Sequence, residues 1–300
     1  MNKMIVTGGA GFIGSHLVDA LIEQGNEVII IDNESGAASD RFYWNEKATH
    51  VKKCITDYEG TRPYYEGVDY VFHTAAKARI QTTVAAPIEC TNTNLVGTTT
   101  VLQCANEAGV KRVVYSSTSS AYGLKNEPPL REDMPNDCLN PYSISKTAGE
   151  EMCKFYTNHF GLETVTFRYF NVYGPREPLK GPYAPVVGIF MRQNKAGEDL
   201  TIVGDGEQRR DFTHVEDVVE ANIRAATYSG VVGETINVGT GTNHSVNEIA
   251  EMVGGSTITL EPRPGEARIT LADNTKIKSL LMLEPASRIE SYIHSVMQKS

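Results

Sequence analysis

Tyr142 and Lys146 stand four residues apart in "NPYSISKTAGEE", so on a helix they share one face. A phenol with a pKa of about 10 is a poor base at neutral pH. An ammonium group beside it favours the phenolate and lowers that pKa. The pair then makes a general base, and Pro141 suits the first turn of its helix. Taken alone, the spacing equally describes a surface tyrosine beside a solvated lysine. "VVYSSTSSAYG" adds a row of hydroxyls, Ser116, Ser117, Thr118, Ser119 and Ser120. One of them can hydrogen-bond the substrate oxygen that Tyr142 deprotonates; the others fit as turn caps.

A second chemistry precedes this one in the chain. "TGGAGFIG" sets Gly8, Gly11 and Gly14 in a GxxGxxG pattern, a variant of the GxGxxG fingerprint. Glycines let the backbone turn tightly and approach a pyrophosphate, and the next helix offers unpaired N–H groups. Asp32 ends the following apolar run, 18 residues after Gly14. A carboxylate there accepts hydrogen bonds from a ribose 2′-hydroxyl and repels a 2′-phosphate, which favours NAD over NADP.

Such groups need a frame. "KMIVTGG" and "NEVIIIDN" are β-branched apolar runs of the buried parallel-strand kind. "SHLVDALIEQGN" between them has helical spacing at Leu17, Leu21 and Ile22, with Gly25 at its end. The alternation continues with "DYVFHTAA" (strand), "NLVGTTTVLQCANEAG" (helix), "KRVVYSSTSS" (strand), "SKTAGEEMCKFYTNHFG" (helix) and "ETVTFRYFNVYG" (strand). Strands alternating with helices predict an α/β fold, a doubly wound parallel sheet with its ligand at the carboxyl ends of the strands. After Tyr173 the texture changes to proline-rich loop and short strand. "GETINVGTG" reads as one more sheet strand. We expect a dinucleotide-binding domain over residues 1–172 and 212–240, and a smaller α/β substrate lobe over 173–211 and 241–300.

Composition narrows the classes. Three hundred residues with a net charge of −9 suit one large domain with a lobe, and weigh against a nucleic-acid or anionic-membrane partner. No apolar run approaches the ~20 residues of a membrane span. Five scattered cysteines (Cys54, Cys90, Cys104, Cys138, Cys153) suit a reducing cytoplasm, and neither they nor the histidines show metal-ligand spacing.

"TGGAGFIG", "HTAA", "SSTSSAYG", "YSISK", "RYFNVYGPR", "RRDFTHVEDV" and "INVGTG" follow one another along nearly the whole chain. In that order they resemble the extended short-chain dehydrogenase/reductase family, and within it the UDP-glucose or UDP-N-acetylglucosamine 4-epimerases. The resemblance implies transient oxidation of the sugar at C4 by NAD, with Tyr142 as base, and return of hydride to the opposite face. It makes Thr118 the hydroxyl supporting proton transfer and Lys146 the contact to the nicotinamide ribose. It gives Asp57 to the adenine and sets Phe12, Ile13, Asn33, Tyr58, Thr74, Ala75, Ala76, Asn94, Ser116 and Tyr169 around the cofactor. For the substrate it implies Arg210, Arg263 and Asn171 on the diphosphate, Glu266 on the uridine ribose, and Val203 in the wall. Arg209 reads as a solvated neighbour of Arg210. Thr270 matches the position gating the sugar's 2-substituent, where a small residue leaves room for an N-acetyl group.

Departures matter too. Sugar 4,6-dehydratases carry an Asp-Glu pair where this chain has Ser119 and Ser120, and UDP-glucuronate decarboxylases a glutamate at the position of Ser120. The alternatives are therefore one of those modifiers, or a catalytically silent NAD-binding regulator, a class that usually loses the tyrosine or lysine. The family also implies a homodimer through a four-helix bundle, here from helices around Thr93–Asn106 and Tyr142–His159. On these, Leu102 and Phe155 fit either an interface or the core.

Overall fold

The computed structural model describes residues 1–36, 42–179, 185–262 and 267–298. Seven strands form one sheet: β1 (Lys3–Thr7), β2 (Glu27–Asp32), β3 (Thr49–Lys52), β4 (Tyr70–His73), β5 (Arg112–Thr118), β6 (Glu163–Tyr169) and β7 (Thr235–Val238). Their order is β7-β6-β5-β4-β1-β2-β3, and every neighbouring pair is parallel. The expected doubly wound α/β sheet is present, and "GETINVGTG" supplies its last strand beside β6.

The apolar runs form strands because both faces are covered. Ile5, Val6, Val113, Val114 and Phe167 are all 0% exposed. Helices Phe12–Glu23 and Val215–Thr227 pack on one face around Leu17, Val218 and Ile236. Helices Gly97–Glu107 and Pro141–Phe160 pack on the other around Val101, Tyr115 and Cys153. Burial of this kind contributes roughly 25 cal/mol per Å² of apolar surface. β3 gave no clear signal in the sequence, because this edge strand buries only Val51.

Chain order reverses between β1 and β4. From β1 the chain runs outward through β2 and β3, then crosses back to β4 on β1's other side. Loops leaving β1 and β4 therefore diverge and open a crevice at the carboxyl edge.

Beyond Tyr173 a separate apolar cluster gathers Val187, Phe190, Leu200, Ile249 and Ile293. Strand Leu200–Val203 pairs with Thr257–Leu260, and Arg209–Asp211 with Asn243–Ser245. The tail divides between the two regions. Helix Thr275–Leu281 puts Ile277 and Leu281 against the sheet-side core, while Ile289–Met297 packs into the distal cluster.

Candidate active site

The glycine loop is shaped by close approach. Gly8 has φ +69°, and a Cβ there would lie 2.7 Å from the Ala75 nitrogen in the loop after β4. A Cβ on Gly14 would lie 2.2 Å from the Gly8 oxygen. Strand, helix and crossing loop thus meet without room for a methyl group. Gly11 caps helix Phe12–Glu23 without a side-chain hydrogen bond, so its first-turn N–H groups are left for a ligand, and the helix dipole favours an anionic one. Asp32 is 8% exposed at the end of β2. Its carboxylate accepts from Ala10 N (3.1 Å) and Glu34 N (2.7 Å); burial pushes its pKa up against those bonds. These features fit a dinucleotide: an open phosphate cradle, then a buried carboxylate held by two backbone N–H groups at the end of the next strand.

One cleft of about 1050 Å³ runs from this loop to the distal region. Gly8, Gly11, Phe12, Ile13, Gly14, Asp32, Asn33, Thr74, Ala75, Ala76, Ser116, Tyr142, Lys146 and Tyr169 line it, as do Thr118, Asn171, Val203 and Arg210. Three expected cofactor residues stand elsewhere. Asp57 caps a short helix, accepting from Gly60 N at 2.9 Å, and the wall at that end is Lys53, Cys54 and Ile55 instead. Those three directly follow β3, so they were legible only to a reader who had found that strand. Tyr58 donates to Glu107 at 2.6 Å. Asn94 is fully buried and braces the cleft from behind, with its Oδ1 2.7 Å from Lys77 N and its Nδ2 3.0 Å from Ser145 Oγ.

The hydroxyl row resolves by partner. Ser116 bonds the Tyr169 hydroxyl at 3.0 Å, Ser117 donates to Glu150, and Thr118 accepts from Ser120 N at 3.1 Å and lines the cleft with Tyr142. Asn140 accepts from Ser143 N at 2.9 Å, and with Pro141 in the first turn it starts the helix that carries Tyr142 and Lys146. Gly149, where a Cβ would sit 2.2 Å from the Tyr115 hydroxyl, brings that helix close against β5.

The lysine of the pair is buried. Lys146 is 2% exposed, and its Nζ lies 4.2 Å from the centre of the Tyr115 ring. Burial lowers its pKa to about 7. Burial also raises the pKa of Tyr142, with the nearby Thr118 hydroxyl and then the charge of Arg79 opposing the rise.

That buried lysine has a stability consequence. Between pH 7 and the ordinary lysine value the unfolded chain holds a proton that the folded one does not, so stability rises with pH across this window. Below pH 7 the penalty is complete. Lys146→Met should raise the stability of cofactor-free protein by about 1–4 kcal/mol at pH 6.5, with the gain shrinking by pH 9.5. Calorimetry at both pH values checks this; an unchanged or lower midpoint at pH 6.5 contradicts it.

On the substrate side, the Asp211 carboxylate accepts from Thr240 N and Oγ1, Gly241 N and Ala272 N at 2.8–3.1 Å, fastening three segments behind the cleft. Asn171 has φ +27° and donates to Asp211 O at 3.0 Å. Thr270 stands behind the wall, its hydroxyl 3.4 Å from Asn171 Nδ2. Arg209 is not the solvated neighbour expected: it pairs with Glu248 at 2.7 Å and bonds Asn243. Arg263 and Glu266 lie outside the described residues. Lys77 and Arg79, not singled out in the sequence, also line the cleft.

A parallel sheet with a glycine cradle at its switch point, and a Thr-Tyr-Lys set beside it, defines an NAD-using enzyme of the extended short-chain dehydrogenase/reductase type. The model of the NAD dependent epimerase/dehydratase family matches residues 4–239, and the chain belongs to that family. It is 37% identical over 285 residues to a putative UDP-glucose 4-epimerase of Methanocaldococcus jannaschii, covering 92% of each chain. It is 40% identical over 261 residues to a UDP-N-acetyl-alpha-D-glucosaminuronate decarboxylase of Bacillus cytotoxicus, covering 83% of this chain and 78% of that one. Among solved structures, UDP-glucose 4-epimerase of Thermotoga maritima with UDP-glucose superposes with a TM-score of 0.93 at 36% identity, over 99% and 97% of the two chains. The protein is a nucleotide-sugar epimerase-type enzyme that uses NAD. Among the described residues no helix is long and apolar enough to cross a membrane.

Proposed function

We propose that the protein interconverts the C4 epimers of a UDP-hexose and accepts the N-acetylated sugars, UDP-N-acetylglucosamine and UDP-N-acetylgalactosamine, as well as UDP-glucose and UDP-galactose. The observation that carries this reading is the distribution of acid along the cleft. Among the described lining residues Asp32 is the one carboxylate, and it stands at the ribose end of the cradle. Ser119 and Ser120 line the wall beside Tyr142, where elimination or decarboxylation chemistry in the family uses carboxylates. The base and its hydroxyl partner remain, which suffices for proton exchange at a carbinol.

Bound NAD supplies reversible hydride exchange with the sugar carbon. Tyr142 removes the 4-hydroxyl proton and later returns it, with Thr118 sharing the hydrogen bond. Lys146 meets the nicotinamide ribose, and Asp32 the adenosine ribose. Arg210, with Arg263 and Asn171, holds the diphosphate while the oxidised sugar turns about that link. Glu266 takes the uridine ribose. Thr270 acts on the 2-substituent pocket through Asn171, which it touches. Residues 1–172 and 212–240 carry the cofactor, and 173–211 with 241–300 the nucleotide sugar, apart from the 275–281 helix on the sheet side.

Separate incubations with UDP-glucose and UDP-N-acetylglucosamine, resolved by chromatography, test the reaction. C4 epimers are expected from both. Release of carbon dioxide from a UDP-uronate without C4 epimers from neutral sugars would establish the decarboxylase instead. Unchanged sugars throughout would reject the reading. Thr270→Tyr should lose the N-acetylated substrate and keep UDP-glucose.

We further propose a cytoplasmic homodimer; the five cysteines are all free. Leu102 is fully buried and belongs to the core, but Phe155 (48%), Val96 (47%) and Ile144 (55%) expose apolar surface on the two expected helices. Exposed apolar surface of this kind favours association. Val96→Glu with Phe155→Glu should give a monomer by analytical ultracentrifugation; an unchanged mass would remove this interface.

A further inference from the structure

The last arginine of "RYFNVYGPR" has no place in the chemistry derived so far. Arg176 stands just beyond the short strand Val172–Tyr173, where the chain leaves the sheet for the distal lobe. It reaches back to the helix Phe12–Glu23 that the glycine cradle opens. Its Nη2 donates to Asp19 Oδ2 at 2.8 Å and lies 2.9 Å from His16 Nδ1. Its guanidinium carbon sits 4.3 Å from the centre of the Tyr43 ring. His16 Nε2 lies 2.7 Å from Pro175 O, and Asn45 Nδ2 donates to the other Asp19 oxygen at 2.7 Å. A lone exposed ion pair contributes little, but here three segments far apart in sequence meet on one guanidinium. Arg176 also has φ +64°, a left-handed conformation that a non-glycine residue keeps only where its surroundings hold it there.

Both ends of this clasp border the cleft. Phe12, whose ring meets His16 edge-on at 6.0 Å, lines it from the cradle helix, and Tyr173 and Pro178 line it on either side of Arg176 in the chain. We propose that Arg176 is a positioning residue that couples the dinucleotide cradle to the nucleotide-sugar lobe, so that each ligand, by ordering its own side of the clasp, favours the other. This assignment rests on the distal lobe holding the nucleotide, as in the reaction proposed above. Ligands that order one shared junction bind cooperatively, because the second finds the ordering already done.

The clasp needs a neutral His16. Its Nε2–H donates to the Pro175 carbonyl, which leaves the Nδ1 lone pair for Arg176. A second ring proton would turn that acceptor into a donor beside a guanidinium. Burial lowers the His16 pKa; the Pro175 carbonyl opposes this, Arg176 adds to it, and Asp19 and Glu216 oppose it. His214, the cap of helix Val215–Thr227, also faces His16, and burial lowers its pKa as well. Glu216 on that helix is itself paired with Arg288 at 2.8 Å. His16 is therefore neutral at pH 7 and gains its proton only below the ordinary histidine value of about 6.5, where the clasp opens.

Release of NADH from NADH-loaded protein, chased with excess NAD and followed by fluorescence, reads the coupling without turnover. Saturating UDP should slow release about tenfold at pH 7, since coupling of this kind falls mostly on the off-rate. In Arg176→Gln and in Asp19→Ala, which break the clasp from opposite sides, UDP should no longer slow it. At about pH 5 the wild type should lose the effect. His16→Gln should retain it there, because the amide keeps a donor for Pro175 and an acceptor for Arg176 but takes no proton. Equal slowing by UDP in wild type and Arg176→Gln, or none in wild type, overturns the assignment. So does a loss in Arg176→Gln with Asp19→Ala unaffected, which would place the change in the backbone at residue 176. An effect that survives in wild type at about pH 5 removes the histidine's part. Wild-type protein that shows the coupling but converts no UDP-sugar would reject the reaction and leave the clasp standing.

Discussion

Tyr142→Phe should lower kcat by about 10³-fold, within the range a positioned general base contributes, while NAD binding persists. The variant removes one oxygen and keeps the ring, so the packing of the Pro141–Phe160 helix has no reason to change. What it deletes is the oxygen proposed as proton acceptor, in the cleft that Thr118 also lines. A group that acts in the transition state lowers kcat and kcat/KM together, with KM little altered. Steady-state kinetics on UDP-glucose, with the NAD content of the purified variant measured alongside, checks both halves. A kcat within tenfold of wild type would transfer the base role to another residue and undo the proposed reaction.

Glu150→Ala should destabilise the protein by about 3–5 kcal/mol, the usual consequence of stripping one partner from a buried ion pair. Glu150 is 1% exposed and Arg168 4%. The guanidinium meets the carboxylate at 3.0 and 2.7 Å in a two-point contact, and it also bonds Asn136 at 2.8 Å. Ser117 donates to the same carboxylate, and the guanidinium lies 4.8 Å from the centre of the Tyr122 ring. One guanidinium nitrogen, Nη1, is already without a partner. Removing the carboxylate would leave a whole cation uncompensated in the buried layer between β5, β6 and the Pro141–Phe160 helix. Denaturant unfolding of Glu150→Ala should show the loss. Glu150→Ala with Arg168→Met should recover much of it, because no charge is then stranded. A loss under 1 kcal/mol in the single variant would mean that water reaches the site.

The two expected results differ in how far the sequence foretold them. The tyrosine was visible because its chemistry depends on spacing along one helix. The ion pair was not, since Glu150 and Arg168 meet only when β6 lies beside β5 with the helix across both.

Local pattern fixed much of this protein. The β-branched runs, the glycine stops and Asn140-Pro141 name the strands, the helices and the helix start, because periodicity and capping act within a few residues. GxxGxxG followed by Asp32 named the cofactor for the same reason: the motif and the helix it opens are contiguous. Tertiary structure decided what depends on approach between distant segments. It put Lys53–Ile55 in the cleft wall and turned Asp57 to a helix cap. It moved Thr270 behind Asn171 and tied Arg209 to Glu248. It buried Lys146 against Tyr115. Charge and burial are properties of a three-dimensional neighbourhood, and a side chain's neighbours across the fold are not written in its own stretch of chain.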